Sequence, residues 1–363
     1  MQSNVQRVLI YRLGSLGDTV VALPCLHHVA RAYPDAERRL LTNIPVHSKA
    51  PAAFAVLEGS GLVHGYLRYP IATRNFAELI DLHRQIRAFR PQVLVYLAPR
   101  RKTTDVLRDA TFFRLCGIQK IVGLPLTGDA RTNRLDLATG NCEAEAARLA
   151  RQMRGLGKLD LNDRANWDLR LTLEEHKIAM SVRGPVQGRP LLACCIGTKM
   201  QAKDWGGENW RTVLDALASE LPQWGLMLIG AAEESAVSQS ASAAWDGRSV
   251  NLCGRLTPRE SAAVLAHARI FLGHDSGPMH LASASGTPCV VVFPARTRPR
   301  IWFPWGDQHE ILYHQTDCWD CNLEVCLEQK KKCLTSITPG EVLSAVHRVL
   351  ARISVSHAVR SSF

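Results

Sequence analysis

Residues 273–286 read GHDSGPMHLASASG, a stretch that predicts a strand-to-helix turn at the mouth of a parallel sheet. The apolar residues 270–272 before it have the length and composition of a buried strand, and Pro278 marks the first turn of a helix that closes at Gly286. A helix that begins directly after a strand offers unpaired N–H groups and the positive end of its dipole, which predicts a diphosphate site. The residues expected beside that site are Asp275, Ser276, Gly277 and His280. Without a ligand, the same turn is an ordinary strand-to-helix connection capped by its Asp or Ser.

A second loop of the same character follows the strand-like residues 8–11 and reads RLGSLGD over residues 12–18. Its two glycines allow a tight turn close to a ligand, but a dinucleotide fingerprint needs three, so a nicotinamide or flavin site is disfavoured. The loop residues expected to approach a ligand are Gly14, Ser15 and Gly17. Asp18 lies in the first helical turn, where the dipole stabilises a carboxylate, so a structural and a catalytic role both stay open.

Four segments, in order and at suitable separations, carry a family resemblance over nearly the whole length. They are residues 11–18 with 22–24, residues 196–198 with 203–205 and Trp210, residues 275–282, and residues 333–334 with Ile337, Pro339 and Val342. In these segments the chain resembles glycosyltransferase family 9, the lipopolysaccharide heptosyltransferases. The resemblance implies a GT-B architecture and an inverting transfer of a heptose from ADP-heptose to an acidic saccharide such as the lipopolysaccharide inner core. It implies no metal or other cofactor for catalysis.

The resemblance also implies roles for single residues. Asp18 matches the general base that removes the proton of the attacking acceptor hydroxyl. Thr198 and Lys203 lie just beyond the strand 191–196, where a hydroxyl and an ammonium can reach a departing diphosphate. A surface lysine is the alternative for Lys203.

The segment around residue 275 supplies the remaining donor-side residues. Asp275 is expected to hold donor hydroxyls or to orient the sugar, and His280 to do the same or to be a core histidine. His274 stands where a small or apolar residue is expected, and nothing in the sequence explains it.

Strand and helix alternate twice along the chain, which predicts an α/β protein of two Rossmann-like, doubly wound parallel-sheet domains facing a cleft. The predicted strands are 8–11, 39–42, 93–97 and 120–124, then 191–196, 226–230, 249–252, 270–272 and 290–293, with helices at 76–89 and 143–156 in the first series. The polar stretch 183–190, rich in Gly and Pro, is the predicted linker. It separates an acceptor-binding domain, 1–182, from a nucleotide-sugar-binding domain, 191–345, and residues 346–363 form a helix end and tail.

The net charge of +11 is concentrated in the first half: residues 1–170 hold 25 Lys and Arg against 15 Asp and Glu. The run Arg100, Arg101, Lys102 follows the strand 93–97 at the end where open α/β sheets bind ligands, which predicts an anionic acceptor. Acidic sugars, lipid phosphates or the anionic inner leaflet fit such a surface. Nucleic acid is disfavoured because no aromatic residues interleave the basic stretches. The series Arg148, Arg151, Arg154 is expected to be a solvated helix face.

The chain of 363 residues is long enough for two domains, and its 46% hydrophobic residues can fill two cores. No apolar run approaches the ~20 residues that span a bilayer, and the start of the chain is polar. We therefore expect a cytoplasmic protein, peripheral on the inner membrane if it binds lipid at all. No pattern indicates an oligomeric state.

Eleven cysteines are present, and those on apolar segments are expected to be small buried hydrophobes. Cys318, Cys321, Cys326 and Cys333 differ, because they lie within a short polar segment and begin with a CxxC pair. Four thiolates could hold a structural zinc or another thiophilic metal, and free or redox-labile thiols are the alternative.

Two other functions stay open. A nucleotide-sugar epimerase could use the same fold, although it has no need for a basic acceptor face. A non-catalytic anion-binding protein would use that face but would leave Asp18 unexplained.

Overall fold

The structure, a computed structural model, describes residues 5–44, 52–69 and 75–360, with side chains as far as residue 355. The chain divides into two compact units, Met1–Arg170 and Leu171–Phe363. This boundary lies ahead of the predicted linker 183–190, which is part of the second unit and contains the short 3-10 helix Gly184–Val186. The physical reason is the preceding helix, Leu173–Ser181, whose Glu175 pairs at 2.6 Å with Arg259 of the second unit.

The first unit is a parallel sheet with helices. Its strands are β1 Arg7–Tyr11, β2 Glu37–Asn43, β3 Gly65–Tyr69, β4 Val93–Tyr96 and β5 Lys120–Val122. Its α-helices are α1 Leu16–Val21, α2 Leu23–Ala32, α3 Phe54–Leu57, α4 Phe76–Phe89, α5 Thr103–Leu115, α6 Gly128–Arg131 and α7 Glu145–Gln152. Among the described residues the strand order is β3-β2-β1-β4-β5, and every pair is parallel.

The second unit repeats this architecture. Its strands are β6 Leu191–Cys195, β7 Gly225–Leu228, β8 Ser249–Asn251, β9 Ile270–His274, β10 Cys289–Val292 and β11 Glu310–Leu312. Its α-helices are α8 Leu173–Ser181, α9 Gly207–Glu220, α10 Ser235–Ala241, α11 Pro258–Leu265, α12 Gly277–Ala284, α13 Lys332–Thr335 and α14 Pro339–Arg360. The strand order is β11-β10-β9-β6-β7-β8, again parallel throughout the described part of the unit.

Local sequence explains the central elements. The strands β1, β4, β6, β9 and β10 are apolar runs that are almost entirely buried, as expected for strands covered on both faces. Helix α11 begins at a capping box in which Thr257 and Glu260 satisfy each other's backbone N–H groups, with Pro258 in its first turn. Of the helices within the described ranges, none is long and apolar enough to cross a bilayer.

The order of the strands decides where ligands bind. In each sheet the chain reverses its direction of growth at one place, between β1 and β4 in the first unit and between β6 and β9 in the second. Open parallel sheets bind ligands in the crevice at the carboxyl ends of the two strands that flank this switch point. The segments singled out in the sequence follow these four strands.

Candidate active site

In the second unit, Lys203 and Asp275 meet at the switch point. Lys203 ends the 3-10 helix Gln201–Lys203 after β6, and Asp275 follows β9 directly. The Lys203 Nζ lies 2.6 Å from the Asp275 Oδ2 and donates to the Asp275 carbonyl at 3.1 Å. Both side chains are largely buried. The alternative of a surface lysine is therefore excluded, and the cation is held in place by a carboxylate and a carbonyl.

The N-terminus of α12 lies beside the Lys203–Asp275 pair. Ser276 is the N-cap residue, in extended conformation, and its side chain makes no capping hydrogen bond. Gly277 begins the helix, and His280 lies one turn further on, where it is buried. The first-turn N–H groups that a capping side chain would satisfy are thus available to an anion. Thr198, in the loop after β6, accepts a hydrogen bond from the backbone of Met200 at 3.4 Å.

His274, which the sequence left unexplained, joins two parts of this half-site. Its ring is completely buried, and its Nε2 accepts hydrogen bonds from the backbone N–H of Trp205 and from the indole N–H of Trp210, both at 3.1 Å. Burial lowers the pKa of His274 to about 4, so the ring is neutral at physiological pH. Both tryptophans are themselves buried in the core of the second unit.

A carboxylate that sequence reasoning missed, Glu234, lies at the end of β7. It accepts the backbone N–H of Ala231 at 2.9 Å, and burial raises its pKa. Gly197 and Gly230 flank it so closely that a Cβ on either would collide with its side chain. The sequence does contain an indication of this arrangement, because a glycine follows each of the neighbouring strands β6 and β7. The absence of a side chain at Gly197 and Gly230 leaves room for the Glu234 side chain.

In the first unit, the loop after β1 holds Asp18 in a capping box. The Asp18 Oδ2 accepts the Ser15 backbone N–H at 2.8 Å and the Ser15 hydroxyl at 3.0 Å. Gly14 has φ +133°, and an added Cβ would collide with the Asp18 side chain. Its N–H donates to the Asn43 Oδ1 at 2.8 Å, while Gly17 lies in the first turn of α1. The loop therefore needs Gly14 in order to place Asp18.

A buried arginine lies behind Asp18. Arg12 donates to the Asp18 carbonyl at 2.7 Å and to the Leu97 carbonyl, at the end of β4, at 2.9 Å. Its Nη2 is 3.6 Å from the Asp18 Oδ1, and its Nη1 is 4.0 Å from Glu145. Burial lowers the pKa of Arg12, and the carboxylates of Asp18 and Glu145 oppose this effect. Asp18 itself keeps 25% of its side chain exposed.

The prediction that Arg148, Arg151 and Arg154 form a solvated helix face is largely wrong. Arg148 is 1% exposed and makes two hydrogen bonds to the buried Glu145, at 2.7 and 2.5 Å. Arg151 is 8% exposed and pairs with Glu143 at 2.6 Å. Arg154 is exposed, as expected. The buried arginines have carboxylate partners on their own or a neighbouring segment, which permits their burial.

The basic run after β4 divides into two kinds of residue. Arg100 and Lys102 are exposed, as an acceptor-side role requires. Arg101 instead donates to the Tyr11 hydroxyl at 2.8 Å and lies 3.4 Å from the buried Asp109. Its charge is already neutralised within the first unit, so it is less suited to an acceptor than its two neighbours.

The cysteine-rich segment supports the Lys203 turn. The Cys326 N–H donates to the Gln201 side chain at 2.8 Å, and the Ala202 N–H donates to the Glu324 carbonyl at 3.0 Å. The thiols of Cys318, Cys321, Cys326 and Cys333 are free. In the part of the chain that the structure describes, no three His, Cys, Asp or Glu side chains are grouped to hold a metal ion. The structural metal therefore stays a prediction.

Known proteins are similar to this chain in sequence and in fold. Lipopolysaccharide heptosyltransferase 3 of Escherichia coli is 26% identical over 151 residues, which cover 41% of this chain and 43% of that protein. The match thus spans less than half the length of this curated relative. Among solved structures, a family 9 glycosyltransferase from Veillonella parvula covers 97% of this chain and 99% of its own, with a TM-score of 0.73 and 17% identity. ADP-heptose lipopolysaccharide heptosyltransferase II of E. coli covers 96% and 99%, with a TM-score of 0.65 and 17% identity.

These structures confirm the predicted two-domain GT-B fold. A family model described as glycosyltransferase family 9 (heptosyltransferase) matches residues 130–332, which is more than half of the chain. The matched range contains the Lys203 turn and the strand-to-helix turn at Asp275. The chain belongs to glycosyltransferase family 9.

Proposed function

We propose that this protein is an inverting glycosyltransferase that moves a heptose or a related sugar from an ADP-activated donor to an acidic saccharide. The lipopolysaccharide inner core is the acceptor class that fits the family. The acceptor oxygen forms a bond to the anomeric carbon, the bond from that carbon to the diphosphate breaks, and the hydroxyl proton passes to a base. ADP leaves with the bonding electron pair.

The second unit suits the donor. Its Lys203 ammonium and the first-turn N–H groups of α12 converge on the switch point, where a diphosphate gains charge as it departs. Asp275 holds Lys203 in place before the donor binds, and Glu234 can accept hydrogen bonds from hydroxyl groups. No metal is assigned a part in this step.

The first unit suits the acceptor and the base. Asp18 is partly exposed at the end of β1, and its Oδ1 lies beyond hydrogen-bonding distance of Arg12. That oxygen can take a proton while Oδ2 stays bound to Ser15. Arg100 and Lys102 at the end of β4 give the positive field that an acidic saccharide requires.

The Lys203–Asp275 pair at the switch point carries the donor half of the proposal, and calorimetry tests it. We expect Lys203→Ala to weaken ADP binding at least about tenfold, because a charge-assisted contact to phosphate is lost. Lys177→Ala is the matched control, since Lys177 is an exposed lysine of the same unit. Equal ADP affinity in the two variants would return Lys203 to a structural role.

An assay with donor and acceptor distinguishes a transferase from an epimerase and from a non-catalytic anion-binding protein. Incubated with ADP-heptose and a deacylated core acceptor, a transferase releases ADP only when the acceptor is present. An epimerase converts the donor sugar without acceptor, and an anion-binding protein changes neither substrate.

We also propose that α4 rests on an anionic membrane surface while the enzyme works on a lipid-linked acceptor. Phe76, Leu79 and Ile80 lie on one face of this helix and are 79%, 37% and 48% exposed. Arg84 and Arg87 follow on the next two turns and are also exposed. Apolar residues beside basic ones fit a bilayer rich in anionic lipid.

Vesicle sedimentation tests this surface. The double variant Phe76→Ser, Ile80→Ser should lose binding to vesicles that contain anionic phosphatidylglycerol. Leu173→Ser is the control, because Leu173 is 82% exposed on α8 of the other unit. If all three proteins sediment equally, α4 is not the membrane-binding face.

A further inference from the structure

One buried ring connects the two segments that form the donor half-site. His274 is the last residue of β9, and its Nε2 accepts the backbone N–H of Trp205, two residues after Lys203. Asp275, the next residue along the chain from His274, holds the Lys203 Nζ at 2.6 Å. The ring and the ion pair thus join the same two segments. On the first segment they contact Trp205 and Lys203, which are two residues apart, and on the second they involve the adjacent residues His274 and Asp275.

The ring can make this connection only as a neutral acceptor. Its Nε2 receives two N–H donors, so the ring proton must be on Nδ1. A second donor, the indole of Trp210 in α9, also packs edge-on against the ring at 5.2 Å between centroids. The two donors therefore fix the tautomer of the imidazole.

Other contacts also hold the Lys203 turn, and they come from a segment other than β9. Lys331 donates to the Asp204 carbonyl at 2.6 Å, and the cysteine-rich segment binds Gln201 and Ala202. These contacts fix the turn to residues 324–331, a segment outside the sheet. The His274 ring fixes it to β9, the strand whose end carries Asp275 and the start of α12.

We propose that His274 is a positioning residue: by accepting the Trp205 N–H it sets the separation between Lys203 and the N-terminus of α12, and so forms the diphosphate subsite before the donor arrives. The inference rests on the proposed function, since it assigns a purpose to the same subsite. Preorganised charges bind a diphosphate more tightly because no reorganisation is needed on binding.

Two amide variants test the acceptor without introducing a charge. Gln in place of His274 offers an acceptor oxygen at a similar reach, and Asn offers the same group one methylene shorter. We expect His274→Asn to weaken ADP binding about tenfold by calorimetry, because a buried backbone donor loses its partner. His274→Gln should stay within about threefold of the wild type.

A second readout does not depend on ADP. Trypsin cleaves after lysine, and because the Lys203 side chain is largely buried, we expect the bond after it to be protected as long as the turn is held on β9. His274→Asn should raise cleavage at this bond, followed by mass spectrometry, while His274→Gln should not. Wild-type protein that binds no ADP would end the proposed function, and the protease result would still test the role of His274.

Trp210→Phe is the matched control. It removes the other donor to the same nitrogen and disturbs the same core, but it leaves the Trp205 hydrogen bond in place. We expect lower thermal stability with ADP affinity within about twofold of the wild type. Equal loss of ADP affinity in the Asn and Gln variants, or an equal loss in Trp210→Phe, would assign the effect to core packing and overturn the proposal.

Discussion

Replacing Asp18 by Asn separates its structural role from its proposed role as the base. The amide oxygen of Asn can still accept the Ser15 N–H and hydroxyl, which are 2.8 and 3.0 Å from the carboxylate, so the capping box is preserved. Only the negative charge and the capacity to take a proton are lost. The substitution is therefore almost isosteric in the folded state.

The contacts give the size of each effect. Hydrogen bonds to a charged acceptor become hydrogen bonds to a neutral one, a loss on the order of 1 kcal/mol. Arg12 keeps its hydrogen bonds to two carbonyl groups and has Glu145 at 4.0 Å, so it is not left without a counter-charge. Loss of a general base lowers turnover by roughly 10²–10⁴. Stability should thus change little while turnover falls far.

The assay is acceptor-dependent ADP release, measured beside urea unfolding, with Ser15→Ala as control. That control removes one of the hydrogen bonds to the Asp18 Oδ2 and keeps the carboxylate. Its stability should fall by a similar amount, about 1 kcal/mol, with turnover within a few-fold of wild type. If Asp18→Asn turned over as fast as Ser15→Ala, Asp18 would be a capping residue and the base would be another group.

Three further predictions concern the Asp18 loop, His274 and the cysteine-rich segment. Gly14→Ala should lower both the melting temperature and turnover, because φ is +133° and the new Cβ collides with the Asp18 side chain; normal turnover would show that the loop adapts. The pKa of His274 is about 4 in the folded protein, against an ordinary histidine value of 6.5, so the unfolded chain binds the proton more tightly. Stability should therefore fall as pH drops from about 6.5 to 4, by up to about 3 kcal/mol, and unfolding of His274→Gln should show a shallower slope. If the cysteines at 318–333 hold metal, purified protein should contain about one zinc or similar ion per chain by elemental analysis, and metal-free protein with four reactive thiols would contradict this.

Much of the fold is predictable because its central strands are buried on both faces and so appear as apolar runs. The edge strands β3 and β11 were missed, whereas β5 and β8, which are also edge strands of mixed exposure, were predicted, so an edge position alone does not explain the difference. The boundary between the two compact units differs from the predicted linker for another reason. Helix α8 belongs to the second unit through a pair between Glu175 and Arg259, 84 residues apart, and no local pattern shows this pairing.

Some features of the candidate site were likewise predictable from the sequence, and others were not. Strand-to-loop junctions are local, so the sequence is enough to locate the segments at Asp18, Lys203 and Asp275. The role of His274 could not be predicted, because its two donors lie 64 and 69 residues earlier in the chain. Arg148 was misjudged because an Arg three residues after a Glu looks the same in sequence whether the pair is exposed or buried.

The Lys203–Asp275 pair also explains how a largely buried lysine that is proposed to bind a diphosphate can exist in the folded protein before the ligand binds. A largely buried ammonium without a partner would lower the stability of the fold, and Asp275 at 2.6 Å offsets part of that penalty. A diphosphate bears more negative charge than one carboxylate, so it can share the lysine with Asp275 and draw on the helix N-terminus as well. After ADP leaves, the carboxylate again neutralises the lysine alone. Under the proposed function, the pair compensates the buried lysine in the free protein and limits how tightly ADP is held, which would favour its release.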